Sequence, residues 1–103
     1  MVPEAIIEAA RATHGEVSEL TAGEYAVLVR APTRGEYKRF RAESLDERKR
    51  AEAVEHLCRS CVVYPDPAAF DALLDRKPAL ADIFGAKVLE LEGAAGEAEA
   101  RKH

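Results

Sequence analysis

The chain has 103 residues, of which 48% are hydrophobic and 33% charged, and its formal net charge is −4. This length supports one modest core, so we expect a single domain. The negative net charge argues against general nucleic-acid binding, which needs a strong positive field. No apolar run approaches the roughly 18 residues that a membrane span requires. The early glutamates do not fit a signal peptide, so we expect a cytoplasmic protein.

The first predicted elements are a helix and a β-hairpin. Pro3 suits a first helical turn and Gly15 suits a helix stop, which predicts a helix over residues 3–13. Two short runs flank the turn-like "TAGE" at residues 21–24, and they predict a hairpin over about residues 16–31. An isolated hairpin is marginal in water, so it must pack on another element or gain a partner strand.

Two helices are predicted next, each from a capping box. "TRGE" begins at Thr33 and predicts a short helix through Glu43. "SLDE" begins at Ser44 and predicts a longer helix that reaches about Cys61. Its apolar residues follow the i, i+3, i+4, i+7 pattern.

Two more helices follow. Asp66 and Pro67 suit the N-cap and first position of one, and Pro78 opens the other. The last helix has the cleanest apolar stripe in the chain. The stripe consists of Leu80, Ile83, Phe84, Val88 and Leu91.

These elements predict an α+β fold that is mainly α. It has an N-terminal helix, one β-hairpin, and then a compact bundle of about four helices. Residues 1–92 form the single domain, with the hairpin at about 16–31 and the helical part at about 33–92. Residues 93–103 are small and charged, which predicts a flexible tail.

The pair Cys58 and Cys61 has the C-x-x-C spacing of metal and redox sites. Structural zinc needs a second ligand pair, which the sequence lacks, and a redox pair normally opens a helix rather than ending one. Both cysteines fall on an apolar stripe, so core packing is favoured over these two alternatives. His56 and Cys58 do not face each other on a helix. We therefore predict no metal, no cofactor and no enzymatic activity.

The segment "RGEYKRFR" interleaves cations with Tyr37 and Phe40. Their i, i+3 spacing is typical of core contacts beside a solvated basic face. A protein-binding surface and a single-stranded nucleic-acid site are the alternatives. Further on, Pro65 disfavours helix at Tyr64, so the run from Cys61 to Tyr64 predicts an extended apolar elbow buried between helices.

The capped "PTRGEYKRFR", the helix after it and "CVVYPDPAAFDALLDRKPALADIFGAKVLEL" together resemble the small tail assembly chaperones of tailed bacteriophages and prophages. The resemblance covers about residues 25–91 and depends on the order and spacing of short motifs. It implies a non-enzymatic protein of the bacterial host cytoplasm. Such a protein binds the tape measure protein, or tail-tube or baseplate subunits, during tail morphogenesis.

A chaperone of this kind needs an apolar groove for a helix or a free edge for a strand. We expect the groove to be lined by four aromatic residues, with two arginines at its rim. The aromatic residues are Tyr37, Phe40, Tyr64 and Phe70, and the arginines are Arg39 and Arg41.

Two other functions stay open at this point. One is a stable component of a phage tail or baseplate, found in the virion. The other is a small helical DNA-binding regulator that uses residues 33–61, which the acidic net charge disfavours. Self-association and the role of the first helix are also open.

Overall fold

A computed structural model describes residues 2–93 and 98–102. Within these residues there are five α-helices and three β-strands, with one 3₁₀ turn at Arg50–Glu52. The helices are α1 (Glu4–His14), α2 (Arg34–Leu45), α3 (Ala53–Cys61), α4 (Pro67–Arg76) and α5 (Leu80–Glu92). The strands are β1 (Ser18–Ala22), β2 (Tyr25–Val29) and β3 (Val62–Tyr64). The predicted α+β, mainly α fold is confirmed.

The strands form an antiparallel sheet in the order β1-β2-β3. The predicted hairpin is present, with Ala22 opposite Tyr25 across a two-residue turn. Gly23 has a φ of +60° and Glu24 does not have a positive φ, the sign pattern of a type II′ turn. The sequence did not predict β3. The apolar elbow after α3 is a short strand that pairs with β2 and shifts in register between Leu28 and Val29.

Successive residues of β2 face opposite sides of the sheet, and both sides are covered. Val27 and Val29 pack into the main core with α3, α4 and α5. Leu28 packs on the other side against α1, beside Val2 and Ala10. The sheet therefore lies between α1 and the later helices, and this assigns α1 a structural role that its sequence did not reveal.

The capping box predicted at Thr33 is confirmed, since the Thr33 hydroxyl and the Glu36 carboxylate each accept from the other residue's backbone amide. The box predicted at Ser44 is wrong. Ser44 lies inside α2, where its hydroxyl donates to the Phe40 carbonyl at 2.8 Å, a bond that serine can make within a helix. Asp46 then turns the backbone to an extended conformation, and α3 begins only at Ala53.

Helices α3 and α5 approach each other closely at Gly85. A Cβ atom on Gly85 would overlap the Val54 side chain and press on the Val54 carbonyl oxygen. The core around this crossing is apolar. The largest fully buried residues of this main core are Phe70, Phe84, Val27, Val29, Val88, Cys58 and Cys61.

The predicted flexible tail, residues 93–103, lies partly outside the described residues. Of that tail, residues 98–102 are exposed and contain no helix or strand. Within the described residues, no helix combines the length and apolarity that crossing a membrane requires.

Candidate protein-binding site

The predicted aromatic pair on α2 forms. The rings of Tyr37 and Phe40 lie side by side with their centroids 6.2 Å apart and their planes tilted by 31°, and Phe40 also packs against the main core. The two predicted arginines lie on the same helix. Arg39 Nη2 is 3.5 Å from Ser60 Oγ on α3, while Arg41 is exposed.

The other two predicted aromatic residues do not join this pair. Phe70 is only 2% exposed and belongs to the main core, so it offers almost no surface to a partner. Tyr64 pairs with Leu28 across β2 and β3 and packs on the α1 side of the sheet. The prediction of one groove formed by all four aromatic residues is therefore wrong. The reason is that β3 extends the sheet and directs Tyr64 to the face opposite Phe40.

A polar notch lies between α2 and α3, and it is lined by Arg39, Glu43, His56, Arg59 and Ser60. Its charged groups are engaged with protein partners. His56 Nδ1 lies 3.3 Å from Glu43 Oε1, and Arg59 binds both Glu55 and Asp71. These contacts tie α2, α3 and α4 together, which gives the notch a structural explanation.

Cys58 and Cys61 are both 0% exposed and unpaired by a disulfide. Burial raises the pKa of the Cys58 thiol to about 12 and that of the Cys61 thiol to about 11, so neither is a nucleophile near neutral pH. The predicted packing role of the cysteines is confirmed. Across residues 2–93 and 98–102, no three His, Cys, Asp or Glu side chains are grouped to hold a metal ion.

An open apolar groove of about 470 Å³ lies between the tip of the hairpin and the turn that joins α4 to α5. One wall of the groove is the hairpin tip, where the type II′ turn at Gly23 lies close to α5. The other wall is the segment after α4, which begins at Pro78 because proline does not continue the helix. The apolar lining consists of Ala22, Tyr25, Pro78, Ala79, Leu80 and Ile83.

Ile83 is the most prominent apolar side chain of this groove. It belongs to the apolar stripe of α5, yet it is 50% exposed, whereas its stripe neighbours Leu80, Phe84 and Val88 are buried. Leu91, at the other end of the stripe, is 40% exposed. Ile83 lies at one edge of the stripe, beyond what the sheet and the other helices cover, and faces the groove, whereas Leu91 lies near the C-terminal end of α5, away from the groove.

Two cations lie at the end of the groove that is formed by α4. Arg76 and Lys77 both line it and both are exposed. In the described part of the chain, neither forms an ion pair. Exposed carboxylates are near in sequence, at Asp75 on α4 and Asp82 on α5, but the groove lining itself has only positive charge. The groove therefore suits an apolar segment that also has a negative charge.

Sequence reasoning missed this groove because it considered the aromatic residues and not the width of the α5 stripe. The sequence placed Ile83 and Leu91 in the apolar stripe of the last helix without distinguishing them from its other members. A stripe that includes positions 80, 83, 84, 88 and 91 spans more of the helix circumference than one neighbouring layer covers. The width of the stripe is therefore the feature of the sequence that could have indicated an exposed apolar groove.

Comparison with known proteins gives a family and a fold. A family model described as a domain of unknown function, DUF6848, matches residues 10–101. The solved structure of an uncharacterised protein from Bacillus stearothermophilus has a TM-score of 0.77 with this chain at 18% sequence identity, and the match covers 92% of this chain and 99% of that one. This identity supports a likeness of fold alone. No curated protein matches the chain. Because the family model spans most of the sequence, the chain belongs to the DUF6848 family.

Proposed function

We propose that the protein is a non-enzymatic assembly chaperone for bacteriophage tails. It binds the tape measure protein, or another tail or baseplate subunit, before the tail is complete. The proposal is supported by the resemblance of residues 25–91 to tail assembly chaperones and by a surface that suits a helical partner. The single observation that carries it is the apolar groove with the half-exposed Ile83.

The shape and chemistry of the groove favour a helix as the occupant. An amphipathic helix binds a groove through apolar residues spaced by three or four positions. Here Ile83 and Tyr25 offer apolar contacts, and Arg76 and Lys77 offer charge contacts at one end. A tape measure protein is long and helical, so it has many such segments that would aggregate if left uncovered.

The most reactive side chains of the protein are buried or paired within the fold, which agrees with a binding role. The two thiols are fully buried, and in the polar notch His56 contacts Glu43 while Arg59 binds Glu55 and Asp71. The groove is therefore the surface available for binding. It is apolar with a basic end, which suits a protein partner.

The test is co-expression with the tape measure protein of the same genome, followed by affinity capture. Ile83→Glu places a charge in the groove and should reduce capture at least tenfold, since it opposes burial of apolar area on both partners. The matched control is Leu45→Glu, because Leu45 is an aliphatic residue at the end of α2 that is 83% exposed. The control should bind like the unmodified chain.

The capture experiment can support the groove or contradict it. Loss of capture with Ile83→Glu alone, in a variant with unchanged circular dichroism, supports the groove. Absence of capture by the unmodified chain, or equal capture by both variants, contradicts the proposal. If the chain is found in purified phage particles, it is a retained tail component instead of a transient chaperone.

A further inference from the structure

The two edges of the sheet differ in how well they are protected. The β3 edge has three residues, a register shift against β2, and Pro65 directly after it. Such features prevent a further strand from pairing. The β1 edge has five residues in regular register and contains neither proline nor lysine. Of the two edges, β1 is therefore the one suited to pair with another strand.

The hairpin register identifies which backbone groups of β1 are free. In an antiparallel pair, residues that exchange hydrogen bonds alternate with residues that do not, and the pair that closes a two-residue turn is hydrogen-bonded. Ala22 closes the turn with Tyr25, so Leu20 and Ser18 also bond to β2. The backbone groups of Glu19 and Thr21 therefore point away from β2. Both residues are exposed.

We propose that two copies of this chain form a homodimer by antiparallel pairing of their β1 strands about Leu20. The pairing joins two three-stranded sheets into one sheet of six strands. Glu19 of each copy forms backbone hydrogen bonds with Thr21 of the other, and Leu20 lies opposite Leu20 of the second copy.

The negative charge of Glu19 favours the register centred on Leu20 over the two symmetric registers centred on Glu19 and on Thr21. A pairing centred on Glu19 would place two glutamates directly opposite each other, which is destabilising. A pairing centred on Thr21 would place Glu19 beyond the partner strand, opposite the turn glycine, Gly23. Centring on Leu20 uses the free backbone groups of both Glu19 and Thr21, and it places each carboxylate opposite a threonine.

The same register brings the exposed Leu91 of each copy close to the other copy. Leu91 lines a cleft with Ser18 at the start of β1, whereas the apolar groove lies at the end of β1, beside Ala22. Pairing about Leu20 places Ser18 of one copy opposite Ala22 of the other. The Leu91 cleft of each copy then lies beside the groove of its partner and extends the groove's apolar wall.

The test measures dimerisation of the full chain by sedimentation equilibrium, with variants at Thr21. Thr21→Glu places a second carboxylate opposite Glu19 at two symmetric positions and should weaken dimerisation about five- to tenfold. Thr21→Lys introduces the opposite charge and should strengthen it by a similar factor. The double variant Glu19→Gln with Thr21→Glu should dimerise like the unmodified chain, because it removes one of the two like charges while an amide oxygen can still accept from the Val2 amide, as Glu19 does at 3.2 Å.

The opposite effects of the two Thr21 variants are specific to this register. If both introduced charges weaken dimerisation, the pairing is centred on Thr21, and if neither has an effect, β1 is not the interface. A chain that is monomeric at every concentration also overturns the proposal. Thr21 is exposed and faces Ala26 within its own sheet, so unchanged circular dichroism is expected for both single Thr21 variants.

A second measurement needs no substitution. Hydrogen exchange of the Glu19 and Thr21 amides should slow as protein concentration rises, because these amides gain partners only in the dimer. Exchange independent of concentration would contradict the pairing. These results are separate from the proposed function. A monomer that captures the tape measure protein overturns only the dimer, and a dimer that captures nothing overturns only the chaperone role.

Discussion

The Arg30 guanidinium and the Glu36 carboxylate form a bidentate ion pair, with Nη1–Oε1 at 2.7 Å and Nη2–Oε2 at 2.8 Å. Arg30 also donates to the Ser60 carbonyl near the end of α3, and Glu36 accepts from the Thr33 amide at the start of α2. One pair therefore joins the end of β2 to the termini of two helices. Planar bidentate pairs of this kind are among the stronger polar contacts in proteins.

Glu36→Gln should destabilise the fold by about 1–3 kcal/mol, because it removes a charge-assisted pair that is mostly shielded from water. The hydrogen bonds from Arg30 lower the pKa of the Glu36 carboxyl from 4.5 to about 2. The folded state therefore holds its proton less tightly than the unfolded state. The contribution of Glu36 to stability is present above about pH 4.5 and is lost as the pH falls toward 2.

Urea unfolding followed by circular dichroism across this pH range would test the effect of Glu36. The variant should show a shallower loss of stability in acid than the unmodified chain. Glu24→Gln, at the exposed hairpin turn, serves as the control and should change stability by less than about 0.5 kcal/mol. Equal acid dependence in all three proteins would contradict the role given to the pair.

Gly85→Ala should destabilise the chain by about 1–2 kcal/mol. Alanine favours a helix by up to about 1 kcal/mol over glycine, but here its methyl group would overlap Val54 on α3. Overpacking of this kind costs about 1–3 kcal/mol. Gly35→Ala in α2 is the control, since no atom lies within 4 Å of its added methyl group, and it should be neutral or slightly stabilising.

A double substitution separates steric overlap from other effects at Gly85. Val54→Ala removes the side chain that the new methyl group would meet, so Gly85→Ala should cost less in that background. Thermal unfolding of the four proteins gives the coupling energy. Additive effects of the two substitutions would show that the α3–α5 distance is not set by this contact.

The thiols of Cys58 and Cys61 should react slowly with a water-soluble disulfide reagent in the native protein. Both side chains are fully buried, and burial raises the pKa of each thiol, so the thiolate fraction at pH 8 is small. In urea above the unfolding midpoint both should react rapidly. Fast reaction of either thiol without denaturant would contradict its placement in the core.

Phe70→Ala and Tyr37→Ala should differ sharply in stability. Phe70 is enclosed by the main core, and its truncation should cost about 3–5 kcal/mol. Tyr37 is only half-buried on α2, and its truncation should cost less than about 1.5 kcal/mol. Denaturant unfolding measures both values. Similar costs would show that the aromatic residues of the chain are more alike in burial than the structure indicates.

Much of the local structure could be predicted from short patterns. The hairpin turn at Gly23, the capping box at Thr33 and the Asp66 cap of α4 depend on residues within a few positions of each other. The burial of Cys58 and Cys61 was predicted because they continue an apolar stripe. The box at Ser44 failed for a related reason, since the serine hydroxyl can bond either ahead to an amide or back to a carbonyl.

The position of the site could not be predicted in this way. Tyr64 was placed beside Phe40 because both are aromatic, but pairing of β3 with β2 directs Tyr64 to the other face of the sheet. Ile83 and Leu80 belong to one apolar stripe, and only packing decides that Leu80 is covered and Ile83 is half-exposed.

The sequence by itself determined the order of the helices, the hairpin and the packing role of the cysteines, because caps, turns and apolar periodicity act between neighbours in the chain. The tertiary structure alone decided the third strand, the burial of Phe70, the groove at Ile83 and the open edge of β1. Each of these depends on which distant segment covers a surface or completes a hydrogen bond, and a local pattern has no information about that segment.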